Sequence, residues 1–474
     1  MAIITSRKAG VKAMDGTTIN TDMTHGNIRR ILIKFAIPMI LSLITQQLYN
    51  ITDMIIVGKF LGVNELAAVG NAGTIISVLI TLSGGLELGS EIIFAKYAGN
   101  KKYKDILTGI KSILVFGAIS GLCISILGLF IKPFILTWLK VPDELLKLTN
   151  SYIGIYIAGM ACVFLYDISR AIIVALGDAK SSMYLLVFSS ALNILLDLFF
   201  ICILKLGVGG AALATVLAQF SGMVIALFIL KIKIKPYAKE YKTPFMDLKK
   251  IREILHISIP TILQQIILSL SALFLQSLVN PYGSEVISGY LAVNKIMLFG
   301  MLIVIGISQA LSIFTAANSG DNSVSRIKEA YKFSMKIVTT YLMVLVGINL
   351  LLPKYLIGIF IDVKNSMNAY EFAKDYLQLS FITYFAYGWK IMNENLLRGF
   401  SRMKDFLRSN LSDLFIRMIT TYVLVSLFSL HGFWMGNMLG KVVSFFLSTY
   451  GIKKGQLLTK DFISGSTQLK EHKN

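Results

Sequence analysis

Charge, cysteine, histidine and proline are all scarce in this chain of 474 residues. Charged residues make up 15% of it, against about 25% in soluble domains. Hydrophobic residues make up 55%, and that balance excludes a soluble protein in favour of one embedded in a membrane. The three cysteines, Cys123, Cys162 and Cys202, fall in apolar stretches with no pairing or metal-ligand spacing. They read as buried thiols and exclude a disulfide framework. His25, His256, His431 and His472 stand outside or at the ends of the apolar stretches, and no HExxH pattern marks an intramembrane metalloenzyme. There is no GxxxxGK[ST] loop for nucleotide phosphates; GVGGAA at 207–212 fits the looser dinucleotide pattern but opens an apolar helix instead of following a strand. Uphill transport, if the chain performs it, must therefore draw on an ion gradient. The segment up to His25 is polar without an apolar core, so no cleaved signal peptide is expected.

What is abundant is long apolar runs. FAIPMILSLITQQLYNITDMIIVG at 35–58 is long enough to cross a bilayer, for which ~20 apolar residues suffice. Eleven further helices are expected near 66–96, 106–131, 150–176, 182–204, 207–230, 254–280, 286–318, 334–353, 374–398, 408–429 and 432–452. The predicted fold is all-α and integral to the membrane, with twelve transmembrane helices in two six-helix lobes. A polar N-terminus (1–28) precedes an N-lobe (29–230), a linker (231–253), a C-lobe (254–452) and a tail (453–474). The linker alternates basic and apolar residues, which fits either an amphipathic surface segment or a solvated loop. With both termini cytoplasmic, most of the 46 Lys and Arg fall on the cytoplasmic side, as positive-inside bias requires. The net charge of +20 is then a topology signal and not a nucleic-acid footprint.

The halves repeat. IPMILSLITQQLYN at 37–50 aligns with IPTILQQIILSLSA at 259–272, and GVNELAAVG at 62–70 with GSEVISGY at 283–290. Pro260 follows Pro38 by the same interval, about 222 residues, as Gly399 follows Gly177. Copies with an even number of spans enter from one side, so the pseudo-two-fold axis lies along the membrane normal, as in transporters built of two such halves.

Isolated polar groups in these helices are the functional candidates. A charged residue at mid-membrane costs ~2.5–3.5 kcal/mol on insertion scales and usually faces a wet cavity. Asp53 is the one charge in the first span, preceded by Gln46, Gln47, Asn50 and Thr52; a position near the outer interface is the bland alternative. Pro38 marks an expected kink. Asp197 is the second isolated acid, with Asn193 four residues earlier on the same helical face. Thr215 adds a hydroxyl among small residues. Asp53, Asn193, Asp197 and Thr215 make a hard oxygen set suited to Na⁺ or, through the two carboxylates, to a proton; Asn193 and Thr215 equally suit helix-to-helix hydrogen bonding. The C-lobe position aligned with Asp53 is Leu275, so ion coupling is expected in the N-lobe alone. Gln46, Asn50, Gln264, Gln265, Gln276 and Glu394 are the candidates for lining a substrate cavity. Asp413 with Arg417, Lys390 with Glu394, and Asp167 with Arg170 have the spacing of local ion pairs. Lys295 and Lys441 lack an evident partner, and Glu87 and Glu91 share a face from which they could snorkel or meet Lys96. The aromatic and methionine content suits an adaptable cavity but is also ordinary for a membrane bundle.

LYNITDMIIVGKFLGVNELAAVG at 48–70 and ALGDAKSSMYLLVFSSALNILLDLFFICILKLGVGGAALATV at 175–216 resemble the multidrug and toxic compound extrusion (MATE) transporters. GISQALSIFTAANSGDN at 306–322 and LLRGFSRMKD at 396–405 are similar to that family's second-lobe landmarks. The resemblance runs from about Arg29 to Ile452 and implies a cation antiporter that exports amphipathic, often cationic, drug-like compounds. It carries a cation-coupling role onto Asp53, Asn193, Asp197 and Thr215, and onto Tyr152 as a helix-four tyrosine. Val174 stands where relatives often carry Arg, Asp167 near a position often held by Asn, and Glu87 and Glu91 exceed the usual acid content of helix two. The expectation is a monomeric, multi-pass efflux antiporter of the bacterial cytoplasmic membrane, using Na⁺ or H⁺, with no other cofactor, no nucleic-acid partner and no enzymatic activity. The alternatives are a flippase for lipid-linked saccharides, whose pyrophosphate would need more unpaired cations than Lys295, Lys390 and Arg170 supply, and a membrane-embedded enzyme, which lacks a His–carboxylate or Ser–His pair. A passive channel would need a repeated selectivity loop, and none is present.

Overall fold

The computed structural model describes residues 23–138, 142–320, 323–361, 363 and 366–458. Residues 1–22 of the expected N-terminus, 459–474 of the tail and Asp321-Asn322 of the second-lobe landmark lie outside them. The described chain is helical throughout: α1 (Ile28–Phe60), α2 (Val63–Gly99), α3 (Tyr103–Trp138), α4 (Asp143–Ala158), α5 (Met160–Ala175), α6 (Ala179–Leu198) and α7 (Gly207–Ala238) form the first half. The second comprises α8 (Leu248–Val279), α9 (Ser284–Gly320), α10 (Val324–Leu351), the short α11 (Pro353–Gly358), α12 (Met367–Leu379), α13 (Phe381–Gly399), α14 (Met403–Phe428) and α15 (Leu430–Lys454). Nine of these helices are long and apolar enough to cross a membrane, ten when α4 and α5 count as one bent span. The α12–α13 pair and α15 complete twelve crossings. They miss the apolar threshold because buried ionic and amide groups, Lys390, Asn393, Glu394 and Lys441 among them, replace hydrocarbon.

Pairings in one half recur in the other. α1 packs on α6 as α8 packs on α14; α2 packs on α4 and α5 as α9 packs on α12 and α13; α5 meets α7 as α13 meets α15. Between the lobes, α2 crosses α8 and α1 crosses α9, the reciprocal contacts that a two-fold axis demands, with α2 and α9 meeting on it. An even number of crossings leaves Ile28 and Lys454 on one side. On that side the lobes are shut together. A Cβ on Gly99 would stand 1.9 Å from the Ala317 carbonyl oxygen, and one on Gly89 would stand 2.0 Å from Ser258 Oγ, so α2 reaches α9 and α8 only through glycine. Tyr97 donates to Glu253 at 2.5 Å and Lys250 bridges to Asp105 at 3.0 Å, both from lobe to lobe. Arg326 of α10 holds the carbonyls of Met23 and Gly26 at 3.2 and 3.0 Å.

Several expectations change at this level. Residues 231–238 extend α7 and 248–253 begin α8, so only 239–247 join the lobes, with Asp247 capping the Lys249 amide at 2.8 Å. Basic side chains at helix ends snorkel, which lets the helices outrun the apolar run that marks them. The fourth span bends by 50° between α4 and α5. Gly159 marks the break, where Val216 of α7 fills the space of a side chain (2.6 Å from an added Cβ). α3 runs past its expected end at 131, through Pro133 to Trp138, and α1 spans 33 residues with Pro38 inside it. Cys123 and Cys202 are exposed on the helix surface and Cys162 is half-buried: an apolar run shows that a residue sits in lipid, not that it sits inside the protein.

Candidate functional site

Small residues bring the N-lobe polar groups together. Gly210, Ala211, Ala214 and Ala218 of α7 are buried, and their lack of bulk lets α7 lie close on α6. Asn193 of α6 thereby meets Thr215 of α7. With its amide oriented by both neighbours, Asn193 Nδ2 donates to Asp197 Oδ2 at 3.0 Å, and Oδ1 accepts from the Thr215 amide at 3.1 Å and hydroxyl at 3.2 Å. The helix widens into a π-turn, Phe199–Ile203, directly after Asp197 and Leu198. Such turns often accompany functional positions because they break the side-chain register. Gly207, at φ 60°, then reverses the chain into α7.

Asp53 enters from α1, 8% exposed, and its carboxyl lies within hydrogen-bonding reach of that of Asp197, which is 0% exposed. The alternative placement of Asp53 at a wet interface is thus set aside. One carboxyl oxygen of each, Oδ1, is buried without a hydrogen-bond partner, and no ion pair is formed by either acid among the described residues. Two carboxyl groups in contact, remote from any base, require one positive charge between them, supplied by a proton or a metal ion. Asn193 turns its N–H to the acids and its oxygen to Thr215, so the two carboxyl groups and Thr215 Oγ1 are the hard donors that an alkali cation would find here. Three tyrosines close the site. Tyr49, one turn before Asp53, places its hydroxyl 3.5 Å from Thr215 Oγ1. Tyr152, expected from the resemblance, and Tyr156 are buried on α4 within electrostatic range of Asp53. Tyr49 and Tyr156 escaped the sequence reading, although each stands four residues from a residue it singled out, on the same helical face.

The cavity candidates separate. A cavity of about 260 Å³ lies between the lobes. Gln46 and Gln265 line it, together with Gln309, Glu87, Glu91 and Arg170. Asn50 is exposed farther along α1, and Gln276 donates to Asn280 at 2.8 Å. Gln264 and Glu394 belong instead to a polar network inside the C-lobe. There Asp413 binds Lys390 at 2.7 Å, Lys441 at 2.8 Å and Arg417 at 3.5 Å. Glu394 meets Lys390 at 3.4 Å and accepts from Ser409 at 3.0 Å. Lys441 therefore has the partner its sequence position hid. It reaches Asp413 because Gly436 and Gly440 let α15 touch Thr421 and Arg417 of α14 (2.3 and 2.5 Å from an added Cβ). Lys295 is exposed. The expected Asp167–Arg170 pair does not form: Arg170 turns across to Glu87 of α2, and Ser83 of α2 donates to Asp167 at 2.5 Å. Neighbouring helices offered both side chains partners that a single turn did not. Glu87 and Glu91 face the cavity in place of snorkelling.

Helix order and the reciprocal lobe contacts define a two-lobe bundle of membrane-spanning helices. The MatE family model matches residues 38–199 and 260–423, one block in each lobe, and the chain belongs to that family, the MATE transporters. It is 26% identical over 434 residues to the probable multidrug resistance protein YpnP of Bacillus subtilis, covering 90% of this chain and 94% of that one. Over 306 residues it is 28% identical to the probable multidrug resistance protein YoeA of the same organism, covering 63% and 66%. The outward-facing structure of a multidrug resistance MATE family transporter of the MOP superfamily superposes with a TM-score of 0.83 at 23% identity, over 94% of this chain and all (100%) of that one. A MOP superfamily transporter from Pyrococcus furiosus, described as having a binding pocket of reversed polarity, gives 0.85 at 23% identity, with coverage of 94% and 100%. At that identity these likenesses establish the twelve-helix, two-lobe fold.

Proposed function

We propose that the protein is a secondary active multidrug efflux antiporter, exchanging Na⁺ or H⁺ for amphipathic, often cationic organic compounds by alternating access. The observation that carries this reading is the Asp53–Asp197 contact, a buried acid pair with unpartnered oxygens and no base. Cation coupling is assigned to Asp53, Asp197, Asn193 and Thr215, with Tyr152 and Tyr49 closing the site. Binding of the ion draws α1 and α6 together, and release loosens them. A ligand shifts such an equilibrium only through different affinities for the two states, and a site split between two helices provides that difference.

The protein is placed in the bacterial cytoplasmic membrane with both termini in the cytoplasm. The shut side of the seam then faces the cytoplasm, so this conformation is closed inward. The chain acts as a monomer, since the acid site and the cavity are each complete within it, and it needs no resident cofactor. A lipid-linked saccharide would require cations free to meet pyrophosphate; the one base lining the inter-lobe cavity, Arg170, is paired with Glu87. Dye efflux from proteoliposomes, with a Na⁺ gradient and a pH gradient imposed separately, tests the reading. Export driven by one gradient or both is expected; export indifferent to each overturns antiport.

A further inference from the structure

We propose that Glu91 is where the charged nitrogen of a monovalent organic cation docks, inside the cavity between the lobes. The inference rests on the export reading above and adds a location and a charge to it.

The cavity holds two acids of different standing. Glu87 is bound by Arg170, and that pair cancels. Glu91 stands one turn farther along α2, is 6% exposed and lines the same cavity. It forms no hydrogen bond and no ion pair among the described residues. Arg170 and Arg398 are within electrostatic range of it, but Arg170 is held by Glu87, and Nη1 and Nη2 of Arg398 are directed to Asn395 at 3.0 Å and Gln264 at 2.9 Å. The Glu91 carboxyl opens onto the cavity, where a cation entering from outside can meet it. Glu91 is the one acid lining the cavity that has no ion-pair partner among the described residues, and a single carboxylate matches a monovalent cation. Gln46, Gln265 and Gln309 offer neutral acceptors around it, while Met39, Leu88 and Leu186 offer apolar wall. The volume of about 260 Å³ is just under the ~300–1,000 Å³ of drug-sized sites, so it takes a small flat cation whole or the charged end of a longer one.

Its position makes the site directional. Gly89, two residues before Glu91, touches Ser258 and Ile254 of α8, where the lobes are sealed on the terminus-bearing side. Parting of that seam uncovers the Glu91 carboxyl towards that side. Gln46 and Asp53 lie seven residues apart on α1, about 10 Å along the axis, so one helix spans the organic-cation site and the coupling-ion site.

Ethidium binding to the purified protein in detergent, followed by fluorescence anisotropy without any gradient, tests the assignment. Wild type is expected to bind. Glu91→Gln is expected to weaken ethidium by at least about tenfold, Glu91→Asp by much less because the charge is kept, and neither to change binding of the uncharged dye Nile red. Equal ethidium affinity in wild type and Glu91→Gln overturns the docking role and leaves antiport standing. Equal loss of both dyes in Glu91→Gln, unrescued by Glu91→Asp, shows a collapsed cavity and overturns charge recognition. If wild type binds neither ethidium nor tetraphenylphosphonium, the cationic-substrate reading fails and this proposal with it.

Discussion

The two lobes share one set of helix contacts and treat buried charge in opposite ways. In the N-lobe, Asp53 and Asp197 meet with tyrosines, an amide and a hydroxyl around them and no base. In the C-lobe, Asp413 is met by Lys390, Lys441 and Arg417, and Glu394 shares Lys390. The first arrangement lacks a positive charge and can take one up and give it back. The second has its positive charge built in, carried by side chains of the same lobe. A buried ion network of that kind fixes how helices pack; the acid pair without a base is where the proposed antiport puts its mobile ion. Leu275, buried at the C-lobe position equivalent to Asp53, completes the contrast.

The comparison breaks most sharply at the acids. Asp53→Asn or Asp197→Asn should abolish gradient-driven efflux at normal expression, measured in vesicles; efflux that still follows the gradient would remove the N-lobe from coupling. Asp413→Asn should act on the fold, leaving Lys441 and Arg417 buried without an acid and Lys390 with Glu394 alone, at roughly 3–5 kcal/mol, seen as a lower melting temperature in detergent with the ion dependence of residual transport unchanged. Lost coupling at an unchanged melting temperature would put the C-lobe network in the ion path and erase the distinction. Thr215→Val should weaken Na⁺ dependence by about tenfold, for one polar contact to an ion lost, and should spare a purely proton-driven cycle, so it also separates the two ions.

The smallest effect lies outside the membrane, at the N-terminus of α6. Burial alone would raise the Asp178 carboxyl, but Lys233 at 2.8 Å and the Ser181 hydroxyl and amide outweigh it and hold it below the usual carboxylate range. A depressed folded value means that the contribution is whole above ~4 and is lost as pH falls through the lower folded value. Asp178→Ala should therefore cost about 1 kcal/mol, as the loss of a helix cap does, at neutral pH and less in strong acid. A thermal-melting series in pH checks this.

Spacing along a helix made Asn193 and Asp197 legible as a pair, and Lys390 with Glu394. It failed for Asp167 with Arg170, and for Lys441, because their partners come from other helices. Glu91 was visible only as an unusual acid; that it faces a cavity beside a cancelled Glu87–Arg170 pair is a fact of how α2, α5 and α8 cross. Two of the three cysteines were misplaced for a related reason, since hydropathy measures the need to leave water and does not say whether lipid or protein receives the residue.

The amino-acid sequence by itself determined the membrane, the twelve crossings, the two-fold repeat and the unmatched acid of the first lobe. Apolar length and internal similarity are properties of order along the chain, and they survive without knowledge of neighbours. Only the tertiary structure decided which carboxyls are compensated and which are not, because the balance of charge at a buried point is set by helices that lie far apart in sequence and touch through glycine and alanine.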